Sequence, residues 1–410
     1  MDFRYTGRRE GYFMPTGATI TAVSAPALFD GDTMLQDHCV LLQGERIHAL
    51  LPVADCPVDV PLQSLGQGTL APGFVDLQVN GGGDVMFNTH THPAGLASML
   101  AAHRSRGSTA ILPTLLSDTR PVQEAAFAAV CAARAAGNAG ILGIHFEGPW
   151  FNPEHRGAHR QDRLRRAEPA DVDWLCGLEG GGVVMLTLAP ERVPGALLQK
   201  LAESGVLVCA GHTQASFAQL SAAAGCGLRG ITHLFNAMSQ LRGREPGTVG
   251  AALALDGLWA GIIADGHHVH AAAIRLAARC KPPGKLILVS DAMATVGGSS
   301  AAFSLYDEEI RQVDGRLVNA EGVLAGSAIG LIDAVRYCQR EVGLPLEECL
   351  RMASRYPAVA IGLGDTLGCL HPGYRADLVH FDDDLNVIHT WLAGEQQTHR
   401  QPPTSKRNDP

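Results

Sequence analysis

Residues 140–149 read GILGIHFEGP, an apolar run that ends on a carboxylate, Glu147, immediately before Gly148-Pro149. Three other stretches end in the same way. VLVCAGHT (206–213) runs out at His212, GITHLFNAM (230–238) at His233, and KLILVSDA (285–292) at Asp291. Short runs rich in Val, Ile and Leu, cut off by Gly or Pro, have the pattern of buried parallel strands. A polar side chain just past the last apolar residue lies at the mouth of such a sheet, not in its core. Two imidazoles and a carboxylate can hold one divalent metal, and a further carboxylate beside it can move protons. The pattern suggests hydrolysis by metal-activated water.

Working outward, eight apolar runs lie near 71–79, 109–116, 140–147, 183–189, 206–211, 230–235, 259–265 and 285–291. Helix-like segments separate most of them: 92–107, 121–137, 195–205, 215–225 and 270–280. Strand and helix alternating, with Gly closing helices, indicates parallel β/α construction. Eight such units match an α/β fold of (β/α)8 TIM-barrel type, whose sites lie at the C-terminal strand ends. The four polar residues fall there.

Both ends of the chain read differently. Thr19–Leu51 reads as short strands (TITAV, then HCVLLQGERIHALLP with a Gly-Glu turn), and residues 367–395 read as strands again. The expected division is a small β-sandwich from both termini (14–65 plus 366–397) and a barrel over 66–365. A flexible extension (1–13) and tail (398–410) complete it. After the eighth run, FSLYDEEIRQVDGRLVNAEGVLAGS (303–327) reads as a hairpin turning at Asp314-Gly315, followed by three helical stretches.

Composition bounds the function. A chain of 410 residues with 46% hydrophobic and 18% charged residues has ample material for a large core. A net charge of −9 argues against a nucleic-acid or anionic-membrane partner, though not against an anionic small molecule. Ten cysteines without a C-x-x-C pair fit a reducing cytoplasm. No secretory h-region is visible, nor a run of ~18 apolar residues. The expectation is a cytoplasmic enzyme acting on a small molecule, with no membrane contact.

Singly, each polar residue has a plainer reading. Glu147 could bind loop amides, His212 and His233 could be satisfied core histidines, and Asp291 could cap a helix. Jointly those readings weaken, because neighbouring strands of a barrel converge on one mouth. His268, in ADGHHVH, could be a loop histidine or could donate to a developing oxyanion; His267 and His270 are left as structural. Arg244, in GREPG, offers a fork of donors suited to phosphate. His155, Arg156 and His159 form a basic group near the third strand end, and Asn236 and Ala237 follow His233 closely.

Taken together, APGFVDLQVNG, HFEGPWFNPEHRGAH, TLAPE, AGHT, THLFNAM, GREPG, GIIADGHHV, VSDAMA, LAGS and RMASRYPA resemble the N-acetylglucosamine-6-phosphate deacetylases of the amidohydrolase superfamily. The stretches run in family order across nearly the whole chain. The resemblance implies cleavage of the acetamide of N-acetyl-D-glucosamine 6-phosphate, giving glucosamine 6-phosphate and acetate. It implies Glu147, His212 and His233 as metal ligands, Asp291 as acid/base and His268 as the group polarising the carbonyl. Asn236, Ala237 and Arg244 would hold the sugar phosphate, with His159 near the substrate. It also implies a homodimer in which the Arg244 loop serves a neighbouring site.

One departure is informative. Many amidohydrolases end the first strand with His-x-His and bind a second metal there; here the residues are Gln78-Val79-Asn80. An amide is a poor zinc ligand, so one divalent ion per chain is expected, Zn2+ first, with Fe2+, Co2+ or Mn2+ as alternatives. Gln78 and Asn80 then shape the site by hydrogen bonds. The rival substrates are other N-acetylated amino-sugar phosphates, such as N-acetylgalactosamine 6-phosphate. An inactive barrel serving as a scaffold is the rival from another class, and the presence of all four polar residues argues against it.

Overall fold

The structure, a computed structural model, describes residues 19–399. The extension expected over 1–13 and the tail over 400–410 lie outside the described residues. Thr398, placed in that tail from sequence, instead closes the strand Glu395–Thr398.

Eight parallel strands form the central sheet: Phe74–Val79 (β1), Ser108–Leu116 (β2), Gly143–Glu147 (β3), Val183–Leu188 (β4), Leu207–Ala210 (β5), Gly230–Ile231 (β6), Trp259–Ile262 (β7) and Leu286–Leu288 (β8). They neighbour one another in chain order from β1 to β8. The barrel closes just past the end of β8, where the Asp291 amide donates to the Gln78 carbonyl at 3.0 Å and the Asn80 amide to Ala292 at 2.9 Å. Closure therefore brings Gln78, Asn80 and Asp291 together, although more than 200 residues separate them in sequence.

Helices pack outside the barrel through apolar stripes. Arg120–Ala135 buries Ala126, Ala129, Val130 and Ala133, spaced three and four apart on one face, with Pro121 in its first turn. Ser216 caps Phe217–Gly225 by accepting from the Gln219 amide. The helices Pro169–Cys176 and Gly247–Ala254 have no counterpart among the helix-like segments read from sequence.

The terminal strands build two further sheets. One has four strands, in the order Arg46–Pro52, His38–Gln43, Ile20–Ser24, Leu62–Ser64. The other has six, drawn from both ends of the chain, with Leu378–Phe381 antiparallel to Thr69–Pro72 and Ala27–Phe29 parallel to it. Val23, Val40 and Ile47 from the first sheet pack with Leu28, Leu70 and Trp391 from the second in one apolar cluster. This is the small β-sandwich.

The run near 71–79 is thus two strands. Thr69–Pro72 belongs to the terminal sheet and β1 to the barrel, so the sandwich reaches beyond residue 65. They divide at Gly73, where a Cβ would collide with the side chain of Thr109. The segment after β8 is a three-stranded flap, Ala302–Leu305, Glu308–Val313 and Arg316–Val318. It turns at Asp314-Gly315, as expected, and also at Tyr306-Asp307, where both residues have positive φ. The Tyr306 hydroxyl donates to the Ser117 carbonyl at 2.7 Å and rests the flap on the barrel mouth.

Candidate functional site

Glu147 is the last residue of β3, while His212, His233 and Asp291 lie two or three residues beyond β5, β6 and β8. The last three have positive φ, at 49°, 35° and 52°. Non-glycine residues rarely adopt this conformation, which costs about 1–3 kcal/mol and concentrates at functional sites. Here it turns each side chain off its strand end and inward. All four are buried.

Three donor atoms meet at one point. His212 Nε2 and His233 Nε2 each lie 3.1 Å from Glu147 Oε1 and 3.0 Å from one another. A tetrahedral site with bonds of ~2.0–2.1 Å has edges of roughly 3.3 Å, so the triangle is close to that of a bound divalent ion. The protons point the same way. His212 Nδ1 is 2.8 Å from the His155 carbonyl, which can only accept, so its proton is on Nδ1. Burial pushes His212 down and keeps it neutral. Its bare Nε2 then faces a carboxylate oxygen, a contact that a cation between them reconciles. Burial works to raise Glu147, but the two imidazoles outweigh it and hold the carboxyl well below its usual range. Phe151 stacks on the His212 ring at 4.2 Å and fixes its plane.

His159 offers a fourth nitrogen, within 4.8 Å of donor atoms of Glu147 and His212. Its protonation argues against a ligand role. The Ser117 amide donates to His159 Nδ1 at 3.1 Å, and burial, reinforced by His212, pushes the ring down to about 3. A neutral ring with an accepting Nδ1 carries its hydrogen on Nε2, so it is a donor there.

Opposite this triangle stands Asp291. Its Oδ1 accepts from Gln78 Nε2 at 3.0 Å and Asn80 Nδ2 at 2.7 Å, and Gln78 Nε2 also donates to Glu147 at 3.2 Å. The amide nitrogens, with no lone pair to give, thus face the carboxylates where His-x-His would offer ligands. Burial, reinforced by the Glu147 charge, pushes Asp291 up to about 6, close to the range useful for proton transfer at neutral pH. No helix starts there, and Glu147 meets side chains rather than loop amides, so neither plainer reading holds.

These groups line a cavity of about 180 Å³ with His159, Asn236, Ala237 and His268. Gln78 and Asn80 support it through Asp291. Arg244 is not among the lining residues: it is exposed, and its guanidinium has no partner among the described residues. His270 caps the helix Ala271–Cys280, and His267 is exposed. Met293, Leu324 and Gly326 also line the cavity without having been singled out. The signal was available for all three, since Met293 lies in the VSDAMA motif and the other two in LAGS. Glu191 was missed as well: it accepts from Asn152 Nδ2, Thr213 Oγ1 and the Gln214 amide, tying together the loops that flank His212.

A (β/α)8 barrel with two imidazoles and two carboxylates at its C-terminal mouth defines a metal-centre hydrolase. Residues 69–396 match the Amidohydrolase family, and the chain belongs to it. It is 39% identical to an N-acetylgalactosamine-6-phosphate deacetylase from Shewanella sp. (strain ANA-3), over 93% of this chain and 96% of that one. It superposes on the crystal structure of N-acetylglucosamine-6-phosphate deacetylase from Pasteurella multocida with a TM-score of 0.90 and 34% identity, covering 93% of this chain and all of the other. A mutant N-acetyl-D-glucosamine-6-phosphate deacetylase from Mycobacterium smegmatis, in complex with N-acetyl-D-glucosamine 6-phosphate, gives a TM-score of 0.86 at 32% identity, covering 92% and 99%.

Proposed function

We propose that this chain hydrolyses the acetamide of N-acetyl-D-glucosamine 6-phosphate to D-glucosamine 6-phosphate and acetate. The observation that carries this reading is the ligand triangle of Glu147, His212 and His233 facing Asp291 across one small cavity. Glu147, His212 and His233 would hold one divalent cation, Zn2+ first. When bound, it supplies Lewis acidity and lowers the pKa of water.

The chain's own residues do the rest. Asp291, held by the Gln78 and Asn80 amides, takes a proton as water oxygen attacks the acetamide carbon. It returns that proton to the amine nitrogen as the C–N bond breaks, leaving the free amine and acetic acid, which ionises to acetate. His268 faces the carbonyl oxygen. His159, with its hydrogen on Nε2, offers a donor to the sugar. Asn236 and Ala237 lie where a phosphate-bearing sugar would extend. Arg244, exposed on its loop, would complete the phosphate site of a neighbouring subunit in a homodimer. Ten free thiols support a cytoplasmic setting.

A second reading, N-acetylgalactosamine 6-phosphate as substrate, is favoured by the Shewanella relative. Acetate release from the two epimeric phosphates and from unphosphorylated N-acetylglucosamine, with metal content measured on the same sample, tests both. Fast release from the glucosamine epimer alone, with about one ion per chain, supports the first reading. Preference for the galactosamine epimer overturns it in favour of the second. Release from neither phosphate refutes both.

A further inference from the structure

Asp265 lies three residues past β7, its side chain 3% exposed, and His268 lines the cavity with its side chain 8% exposed. The Asp265 carboxylate is fully engaged. Its Oδ1 accepts the backbone amides of His267 and His268, each at 2.8 Å, and its Oδ2 lies 2.7 Å from His268 Nδ1. Burial works to raise Asp265, but the ring and the amides outweigh it and hold the carboxyl below its usual range. An ionised carboxylate only accepts, so the His268 nitrogen it meets must carry a hydrogen.

That hydrogen decides the chemistry at the other end of the ring. With its proton on Nδ1, a neutral His268 presents a bare Nε2 to the cavity. A bare nitrogen accepts hydrogen bonds, whereas an oxyanion growing on the acetamide oxygen needs a donor. Only the doubly protonated ring meets both demands. We propose that Asp265 is a positioning residue that holds the Nδ1 hydrogen of His268, so that the imidazolium is the group donating to the acetamide oxygen.

Carboxylates face His268 from two elements. Asp265 contributes from its own turn, and Asp291, from beyond β8, interacts with the His268 charge. Glu147, His159, His212 and His233 lie around the same cavity, and Tyr337 packs behind the turn, where a Cβ on Gly266 would meet its ring at 2.8 Å. His268 keeps both protons through the cycle. Asp291 alone carries the proton from water to the departing amine, so atoms and charge balance.

This rests on the amide-hydrolysis reading above. The test follows kcat/KM for acetate release from about pH 5 to 10 in metal-loaded wild type, D265N and H268Q, with metal content and Tm measured alongside. An imidazolium donor makes the wild-type rate fall on the alkaline side of the profile. In D265N the amides of His267 and His268 still require the Asn oxygen, so its NH2 faces Nδ1. That moves the neutral ring's hydrogen to Nε2 and makes it a donor without charge. The alkaline fall therefore flattens, at a maximum roughly 10- to 100-fold lower. Nitrogen-15 spectra of histidine-labelled holoenzyme at neutral pH show hydrogen on both ring nitrogens of His268 in wild type and on Nε2 alone in D265N. H268Q, a neutral donor, flattens in the same way and decides the matter if D265N does not fold. A D265N rate lowered by one factor at every pH, or a wild-type alkaline fall surviving in H268Q, overturns the inference. Neither result touches the amide-hydrolysis reading, which fails if wild type releases acetate from neither sugar phosphate.

Discussion

Replacing Asp291 with Asn separates chemistry from folding at this site. The position has φ 52°, which Asn tolerates, and an Asn oxygen keeps both donors, Gln78 Nε2 and Asn80 Nδ2. Even with those two hydrogen bonds to its ionised form, the buried Asp291 carboxyl is hard to ionise. A group raised from 3.8 to about 6 is harder to ionise in the folded state. At about 1.36 kcal/mol per pH unit, that costs about 3 kcal/mol of folding free energy above pH 6, and the cost is relieved as pH falls toward 3.8. D291N has no charge to bury, so metal-free D291N should be the more stable by about 3 kcal/mol at pH 8 and melt a few degrees above metal-free wild type. At pH 5 the wild type recovers part of the ionisation cost and D291N does not, so the balance moves toward wild type. Turnover, by contrast, loses its proton carrier and should fall between about 10² and 10⁴-fold, with metal content unchanged. Acetate release, calorimetry and metal analysis on one preparation check this. More than a tenth of wild-type kcat remaining, or loss of metal with activity, would refute Asp291 as the proton carrier.

E147Q removes the anionic corner of the proposed metal-binding triangle, and chelator competition should show divalent-metal affinity weakened by more than ~100-fold. R244A should raise KM for the phosphorylated substrate about tenfold or more, while leaving the slow turnover of the unphosphorylated sugar unchanged. Equal effects on both sugars would remove Arg244 from phosphate binding. G73A drives a methyl into Thr109 at the junction of sandwich and barrel, and denaturant unfolding should register a loss of about 1–3 kcal/mol.

The barrel and its centre were legible because their signals are local. A buried parallel strand advertises itself within a few residues, and a polar group just past it marks the mouth, whatever lies elsewhere in the chain. Glu147, His212, His233 and Asp291 could therefore be named from four short stretches. The split at Gly73 was not legible, since an unbroken apolar run does not say which of two sheets each half joins. Nor was the division of labour among the histidines. His159, His212 and His268 are chemically identical in sequence. Only the Ser117 amide, the His155 carbonyl and the Asp265 carboxylate decide which ring nitrogen carries a hydrogen. Arg244 shows the same limit, as its motif suggested phosphate while the residue is exposed and does not line its own chain's cavity. Strand pattern is written in neighbouring residues; proton position and pocket membership depend on partners brought together by barrel closure, and only the tertiary structure supplies those.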